Sequence, residues 1–405
     1  MGNARTLLLL TLPAFVVGVA SSLLLIGISR PAEALSHLLW LHDSPWWTLL
    51  LLTLGGLLTG LILWKVPGHG GPDPATEGLV APPVPLTAVP GILLALSVTL
   101  AFGVSLGPEN PTILANVALA TALGHRFLPR VPDRAWTAFA LAGTIGALFG
   151  TPVAAALLLS EFSSGDETPL WDRLVAPLAA AAAGALTTHL VAPDQTFTLA
   201  LPAYRGFQPI DLVSGSVIAA AGCALGLCAV YALPRLHRSA HRIGRPVVLL
   251  TLGGAVLGVL GMIGGPITLF KGLEQMQELA RERTAFDAPG LLLIVAVKLV
   301  ALVVAVAVGF RGGRIFPSVF LGVALGLLAV ALVPAVPPVL AAACAAMGVC
   351  VAVSRSGWLS LFIGAALAGG AELLPVLCVA ILPAWLLATG RPEMRVEAVA
   401  SPDPG

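Results

Sequence analysis

The sequence predicts an all-α membrane protein, a bundle of tilted, broken and re-entrant helices arranged as two repeats. Three observations carry that prediction. Of 405 residues, 58% are apolar and only 10% charged, with a mean hydropathy of +0.97, whereas a soluble domain carries about a quarter charged residues. Apolar runs long enough to cross a bilayer recur along the whole chain. Glycine- and proline-rich breaks interrupt them in the same order in each half, as an internal structural repeat would leave behind.

The same composition excludes other classes. Net charge is +1 and the basic residues are scattered, so no basic field or aromatic-lined patch awaits nucleic acid. The five cysteines stand singly in apolar runs and read as small buried hydrophobes. No Walker loop, Rossmann fingerprint, HExxH or GxSxG occurs, so neither ATP-driven transport nor hydrolysis finds its motif. The chain reads as a non-enzyme that needs no cofactor and no metal.

In chain order, residues 7–28 and 46–64 form the first two spans, the former a retained span because it is long for a signal segment. Trp40, Trp46 and Trp47 between them suit the interface belt. Residues 65–74, too rich in breakers to span, are a surface loop or a re-entrant segment lining a cavity. A span over 89–106 leads into the break Gly107-Pro108-Glu109-Asn110-Pro111, and a new helix runs to about Gly124. Residues 143–162 are interrupted at Phe149-Gly150-Thr151-Pro152, and a span near 174–191 closes the first repeat. The domain reading is a first transmembrane repeat over 1–192, a linker over 193–209, a second repeat over 210–390 and a short cytoplasmic tail over 391–405.

The second repeat opens with a span over 210–233, followed by a basic loop from Arg235 to Arg245 that the positive-inside rule puts in the cytoplasm. After the span 247–262, Gly264-Gly265-Pro266 echoes Gly70-Gly71-Pro72. Spans or part-spans are expected over 291–308, 315–333, 339–353, 359–368 and 373–387, several too short to cross at 1.5 Å per residue.

The breaks carry the candidate chemistry. A helix that begins inside the membrane presents amides with no partner in the helix, at the positive end of its dipole, which is an anion site. Two such starts, at Gly107-Pro108-Glu109 and at Arg311-Gly312-Gly313-Arg314-Ile315-Phe316-Pro317, are expected to meet and pass an anion between them. Glu109 is the leading candidate, since a mid-membrane carboxylate is costly unless it is neutralised or hydrogen-bonded. It reads as a tethered anion displaced by a mobile anion or a proton, or as a simple helix-end acid. His69 could offer an N–H to an anion or serve as a loop residue meeting water. Glu161 reads equally as a proton-path residue or an interfacial acid. Lys298 reads as a bridge to carbonyls or an acid, or as a pore-lining residue, and Arg314 raises the potential of the second break or reaches the interface.

Taken together, Gly68-His69-Gly70-Gly71-Pro72, Gly107 to Pro111, Phe149 to Glu161 and Gly313 to Gly322 resemble, in order, the GSGIP, GREGP, FNAPLAG and GGIFAP series of the CLC superfamily of chloride channels and proton-coupled anion exchangers. The similarity runs from about Leu7 to Pro392, and is nearer still to a divergent bacterial branch, the YfeO-like ion-transport proteins. The resemblance implies an antiparallel two-repeat fold, a homodimer with one pore per subunit, and a bacterial inner-membrane location. It assigns the gate to Glu109 and anion binding to Gly68, His69, Gly70, Gly107, Pro108, Asn110, Arg314, Ile315 and Phe316. Four departures bear on ion preference and coupling. Pro108, without an N–H, replaces an arginine, and Asn110 replaces a glycine. Phe162 falls on the family's proton glutamate, with Glu161 one residue earlier. Met394 stands where a pore tyrosine is expected. The expectation is transport of a small inorganic anion by a passive, glutamate-gated pathway. The alternatives are a proton-coupled exchanger using Glu161 or His69, and a non-transporting membrane sensor or scaffold.

Overall fold

The computed structural model describes residues 2–42, 44–78, 82–161, 169–193, 195 and 197–396, with side chains from residue 9 onward. Among them, fifteen α-helices follow one another with no strand. The first half comprises α1 (Gly2–Leu39), α2 (Pro45–Lys65), α3 (Val89–Ala101), α4 (Glu109–Phe127), α5 (Asp133–Phe149), α6 (Pro152–Glu161) and α7 (Leu170–Val191). The second comprises α8 (Pro209–Ala240), α9 (Pro246–Gly264), the short amphipathic α10 (Leu273–Arg281), α11 (Ala288–Ala307), α12 (Ile315–Leu332), α13 (Pro338–Ser354), α14 (Gly357–Ala368) and α15 (Leu374–Ala388).

Setting α10 aside, the order is long, medium, α3 or α11, then a helix starting at a break, and so on pairwise to α7 and α15. The packing repeats as well. α1 packs on α5 and α7 as α8 packs on α13 and α15, and α4 packs on α5 as α12 packs on α13. The halves join through α2 and α9, where small residues let two backbones touch. A Cβ on Gly56 would lie 2.1 Å from the Leu250 carbonyl oxygen, and one on Gly254 would lie 2.2 Å from that of Leu52. That reciprocity is what two copies of one motif facing each other produce.

Eight helices, α1, α2, α7, α8, α9, α11, α12 and α15, are long and apolar enough to cross a membrane; α3, α6, α13 and α14 are shorter apolar helices. Short helices among long ones agree with the expected broken and half-spanning elements.

Several expected boundaries move. The first span does not stop near residue 28 but continues through Pro31 to Leu39. α8 continues through Pro234 to Ala240, so most of the expected basic loop is helix. In each case the apolar run stops before the helix does, and a proline that would be a stop signal is carried inside. α10 was not expected at all: its buried face is only Leu273, Met276, Leu279 and Ala280. The stretch read as a linker is packed against the bundle. The Leu199 amide donates to the Leu367 carbonyl, and the Tyr204 hydroxyl donates at 2.5 Å to Asp211, which caps the start of α8 with Gln208.

Candidate anion site

α3 ends at Phe102 and the chain reverses at Gly103, which has a φ of 80°. α11 ends likewise, and its chain reverses at Gly309 with a φ of 90°. The two segments that follow run side by side. Gly107 donates to the Gly313 carbonyl at 2.8 Å and Gly313 returns a bond to that of Gly107 at 2.6 Å, an antiparallel bridge that ties the starts of α4 and α12 together. Any side chain here would push the Glu109 carboxylate out of its place. A Cβ on Gly107 would lie 2.3 Å from Glu109 Oε2, and one on Gly313 1.8 Å from it.

The carboxylate that crowds both glycines is wholly buried. Glu109 leaves the first turn of α4 and crosses to α12, where its Oε1 accepts a 2.6 Å hydrogen bond from the Phe316 amide. An acid at its own helix start would ordinarily serve that helix; this one satisfies the orphan amide of the opposite half. Among the described residues its Oε2 has no partner, nor do Ser105 Oγ, Asn110 Oδ1, Thr112 Oγ1 and Arg314 Nη1, all buried in or beside the two breaks. Such a concentration of unsatisfied polar atoms marks a place built for something polar.

The structure thus brings Gly107, Glu109, Ile315 and Phe316 together. Pro108 caps the start of α4 without an N–H to offer, and Asn110 is buried in its first turn. Arg314 is also buried, and its guanidinium donates to the Glu77 carbonyl.

The re-entrant turn joins through its backbone. Gly68, His69, Gly70 and Gly71 all have positive φ, between 49° and 79°, a run tolerable because three of the four are glycine. The turn aims its carbonyls at one cation. Arg311, from the second break, donates to Gly70 and Gly71 at 2.9 Å each and to His69 at 3.4 Å, and also to Gly309 at 3.1 Å. Gly70, Glu77, Asn110 and Arg311 line a cavity of about 10 Å³, the size of one water. The His69 ring points elsewhere: it is exposed and its Nδ1 hydrogen-bonds the Leu63 carbonyl at the end of α2. Gly68 has no free space, since a Cβ there would lie 2.4 Å from Ala88 Cα.

Above the amide cradle, Phe316 is enclosed by Phe149 at 5.4 Å and Phe197 at 5.1 Å between ring centroids. Beyond them opens a cavity of about 330 Å³ lined by Thr151, Thr188, His189 and Gln195. On the other side Met394 is fully buried, and the Val396 amide donates to the Ala75 carbonyl at 2.7 Å, so the described part of the tail is packed against the re-entrant loop. Glu161 is exposed and its Oε1 accepts from the Trp358 amide at 3.0 Å, capping α14. Phe162 lies outside the described residues. Lys298 bridges carbonyls, one of its two expected readings: its Nζ donates to Thr268, Leu269 and Phe270 at 2.9–3.1 Å.

Sequence reasoning placed Arg311 in the second break without giving it a role, and gave Phe197 none. A buried arginine beside Gly312-Gly313 carried its own signal, the cost of a mid-membrane charge. Phe197 carried none, because nothing local says that a residue in a polar connection folds back onto Phe316.

Residues 68–389 match the family of voltage-gated chloride channels. Relatives that carry the provisional name ion-transport protein YfeO, from Escherichia coli strain SMS-3-5 and from Escherichia fergusonii, are each 52% identical over 404 residues, covering 97% of this chain and 96% of theirs. Among solved structures, a CLC-type fluoride/proton antiporter superposes with a TM-score of 0.79 at 22% identity, covering 94% of this chain and 95% of its own. A slow cyanobacterial chloride/proton antiporter gives 0.78 at 16% identity over 94% of both chains. Those two likenesses bear on the fold alone, an antiparallel two-repeat bundle of the CLC kind. With the membrane-length helices, the family match and the close relatives, this chain is a multi-pass membrane protein belonging to the voltage-gated chloride channel (CLC) family.

Proposed function

We propose that the protein carries a small inorganic anion across a bacterial cell membrane by a passive pathway in which Glu109 is the gate. The observation that carries this reading is the bond from the Phe316 amide to the Glu109 carboxylate. There a side-chain anion occupies the donor that a mobile anion would need. Protonating the carboxylate removes its charge, weakens its hold on the amide, and yields the donor to a mobile anion. Gly107, Ile315 and Asn110 complete the cradle. The Gly68–Gly71 backbone, fixed by Arg311, and the buried Met394 shape its approach. Pro108 withholds one donor that an arginine amide would add.

The second reading is proton-coupled exchange, favoured by the two solved neighbours, which are antiporters. Against it stands Glu161, exposed and engaged as the cap of α14. A CLC-type homodimer with one such pathway per subunit is part of the proposal.

The test uses purified protein in sealed liposomes with an imposed gradient of chloride or fluoride, the voltage clamped at zero and internal pH recorded. Passive transport predicts anion flux with no uphill proton movement, the same in wild type and Glu161→Gln. Uphill proton movement that disappears in Glu161→Gln would establish the exchanger, and no flux of any anion would leave the sensor or scaffold.

A further inference from the structure

Outside the anion site, the continuation of α8 past Pro234 brings together three groups that the transport reading does not use. His237 lies in the last turn of α8 and His241 one turn further on, so the two imidazoles share a face. They stack with ring centroids 3.8 Å apart. Both present Nε2 to the same oxygen of Asp73, in the re-entrant loop, at 2.9 Å and 3.5 Å, and the three candidate donor atoms lie within 4.8 Å of one another.

The hydrogen-bond directions are informative. His241 Nδ1 sits 3.1 Å from the His237 carbonyl. A carbonyl only accepts, so that nitrogen carries the hydrogen and the Nε2 of the neutral ring is a lone pair. It faces Asp73 Oδ2, another acceptor. Two acceptors directed at each other call for a cation between them. Donating the far ring nitrogen to a backbone carbonyl is also how metal-ligating histidines are oriented. Asp73 is itself held in place, its Oδ1 accepting from the Ala75 amide at 2.9 Å.

We propose that Asp73, His237 and His241 form a three-ligand site for a divalent transition metal ion, zinc by preference, that fastens the basic end of α8 to the re-entrant loop. Ligands at tetrahedral zinc stand roughly 3.3 Å apart for metal–ligand bonds of about 2.0–2.1 Å, close to the 2.9 Å and 3.5 Å that separate the two imidazole nitrogens from Asp73 Oδ2. Two imidazoles and one carboxylate suit zinc and its neighbours. Calcium and magnesium need several hard oxygens and are not matched by a single carboxylate with Arg311 nearby. His241 is partly exposed and, with Asp73 and Arg245, lines a cavity of about 170 Å³, so water can supply the fourth ligand. The site stands whether or not the anion reading does.

Equilibrium dialysis of untagged protein against zinc sulfate, with metal measured per chain, tests it. One ion per chain is expected. His241→Ala and Asp73→Asn should each weaken binding at least about tenfold, the loss that even outer-shell changes produce, while His189→Ala changes nothing. Cobalt substitution should give the visible bands of a tetrahedral N/O site, lost in His241→Ala. That variant removes a partly exposed side chain at a helix end, so size-exclusion elution should match wild type even if Asp73→Asn misfolds. Absence of stoichiometric zinc, or affinity unchanged in His241→Ala, would overturn the site and leave a proton as the group between the rings and the carboxylate.

Discussion

At the start of α4 the chain reads Gly107-Pro108-Glu109; at the start of α12 it reads Gly313-Arg314-Ile315-Phe316. The two backbones are near copies, reversed at Gly103 and Gly309 and joined by reciprocal bonds between Gly107 and Gly313. Their chemistry is opposite. The first start has a residue without an N–H and then a carboxylate; the second has the Phe316 amide that receives it and an arginine that donates to the Glu77 carbonyl. A carboxylate from one half therefore completes a donor set from the other. Duplicating a fold supplies two helix ends in one place, and divergence of a few residues makes one end the occupant and the other the receptor.

The largest effect should come from cutting the cation that ties the halves together. Arg311→Ala removes the donors to four carbonyls, those of Gly70, Gly71, His69 and Gly309. Leaving buried acceptors unsatisfied costs about 1–3 kcal/mol each. Even part of that sum is a large share of a stability of about 5–15 kcal/mol, so little folded protein is expected by size exclusion in detergent. Lys298 does the matching work wholly inside the second half. An Arg311→Ala protein with wild-type thermal unfolding would mean that the halves do not depend on that tie.

Next in size is Gly313→Ala, whose methyl would press on Glu109 Oε2. Overpacking of this kind costs about 1–3 kcal/mol. The penalty should shrink in a Glu109→Ala background, because the opposing atoms are gone. Equal penalties in both backgrounds, from a double-mutant cycle of unfolding midpoints, would separate Gly313 from the carboxylate.

These two positions also show what could be read before the structure. Gly107, Glu109, Gly313 and Phe316 were legible because breakers inside apolar runs are rare, and a carboxylate beside one has few innocent explanations. The repeat was legible from the order of its breaks. The helix ends at Leu39 and Ala240, beyond Pro31 and Pro234, were not, since a proline stops a helix only when packing does not carry the chain through it. Nor were the partners of Arg311 and the return of Phe197, which depend on contacts across 240 and 119 residues of sequence respectively (311 − 71 and 316 − 197).

His69→Ser should have the smallest effect. The ring bonds the Leu63 carbonyl and only the backbone carbonyl of His69 reaches Arg311. Anion selectivity in liposomes should match wild type within error. A changed selectivity would bring the side chain into the pathway, as the family resemblance implies.

The central claim is that Glu109 competes with the transported anion for the Phe316 amide. It is tested most directly by anion efflux from liposomes as a function of pH in wild type and Glu109→Gln. Protonation neutralises the competitor, so wild-type efflux should rise as pH falls. Glu109→Gln, neutral at every pH, should stay fast and flat across the range. Efflux that keeps the wild-type pH dependence in Glu109→Gln would contradict the account and reduce Glu109 to a structural link between two helix ends.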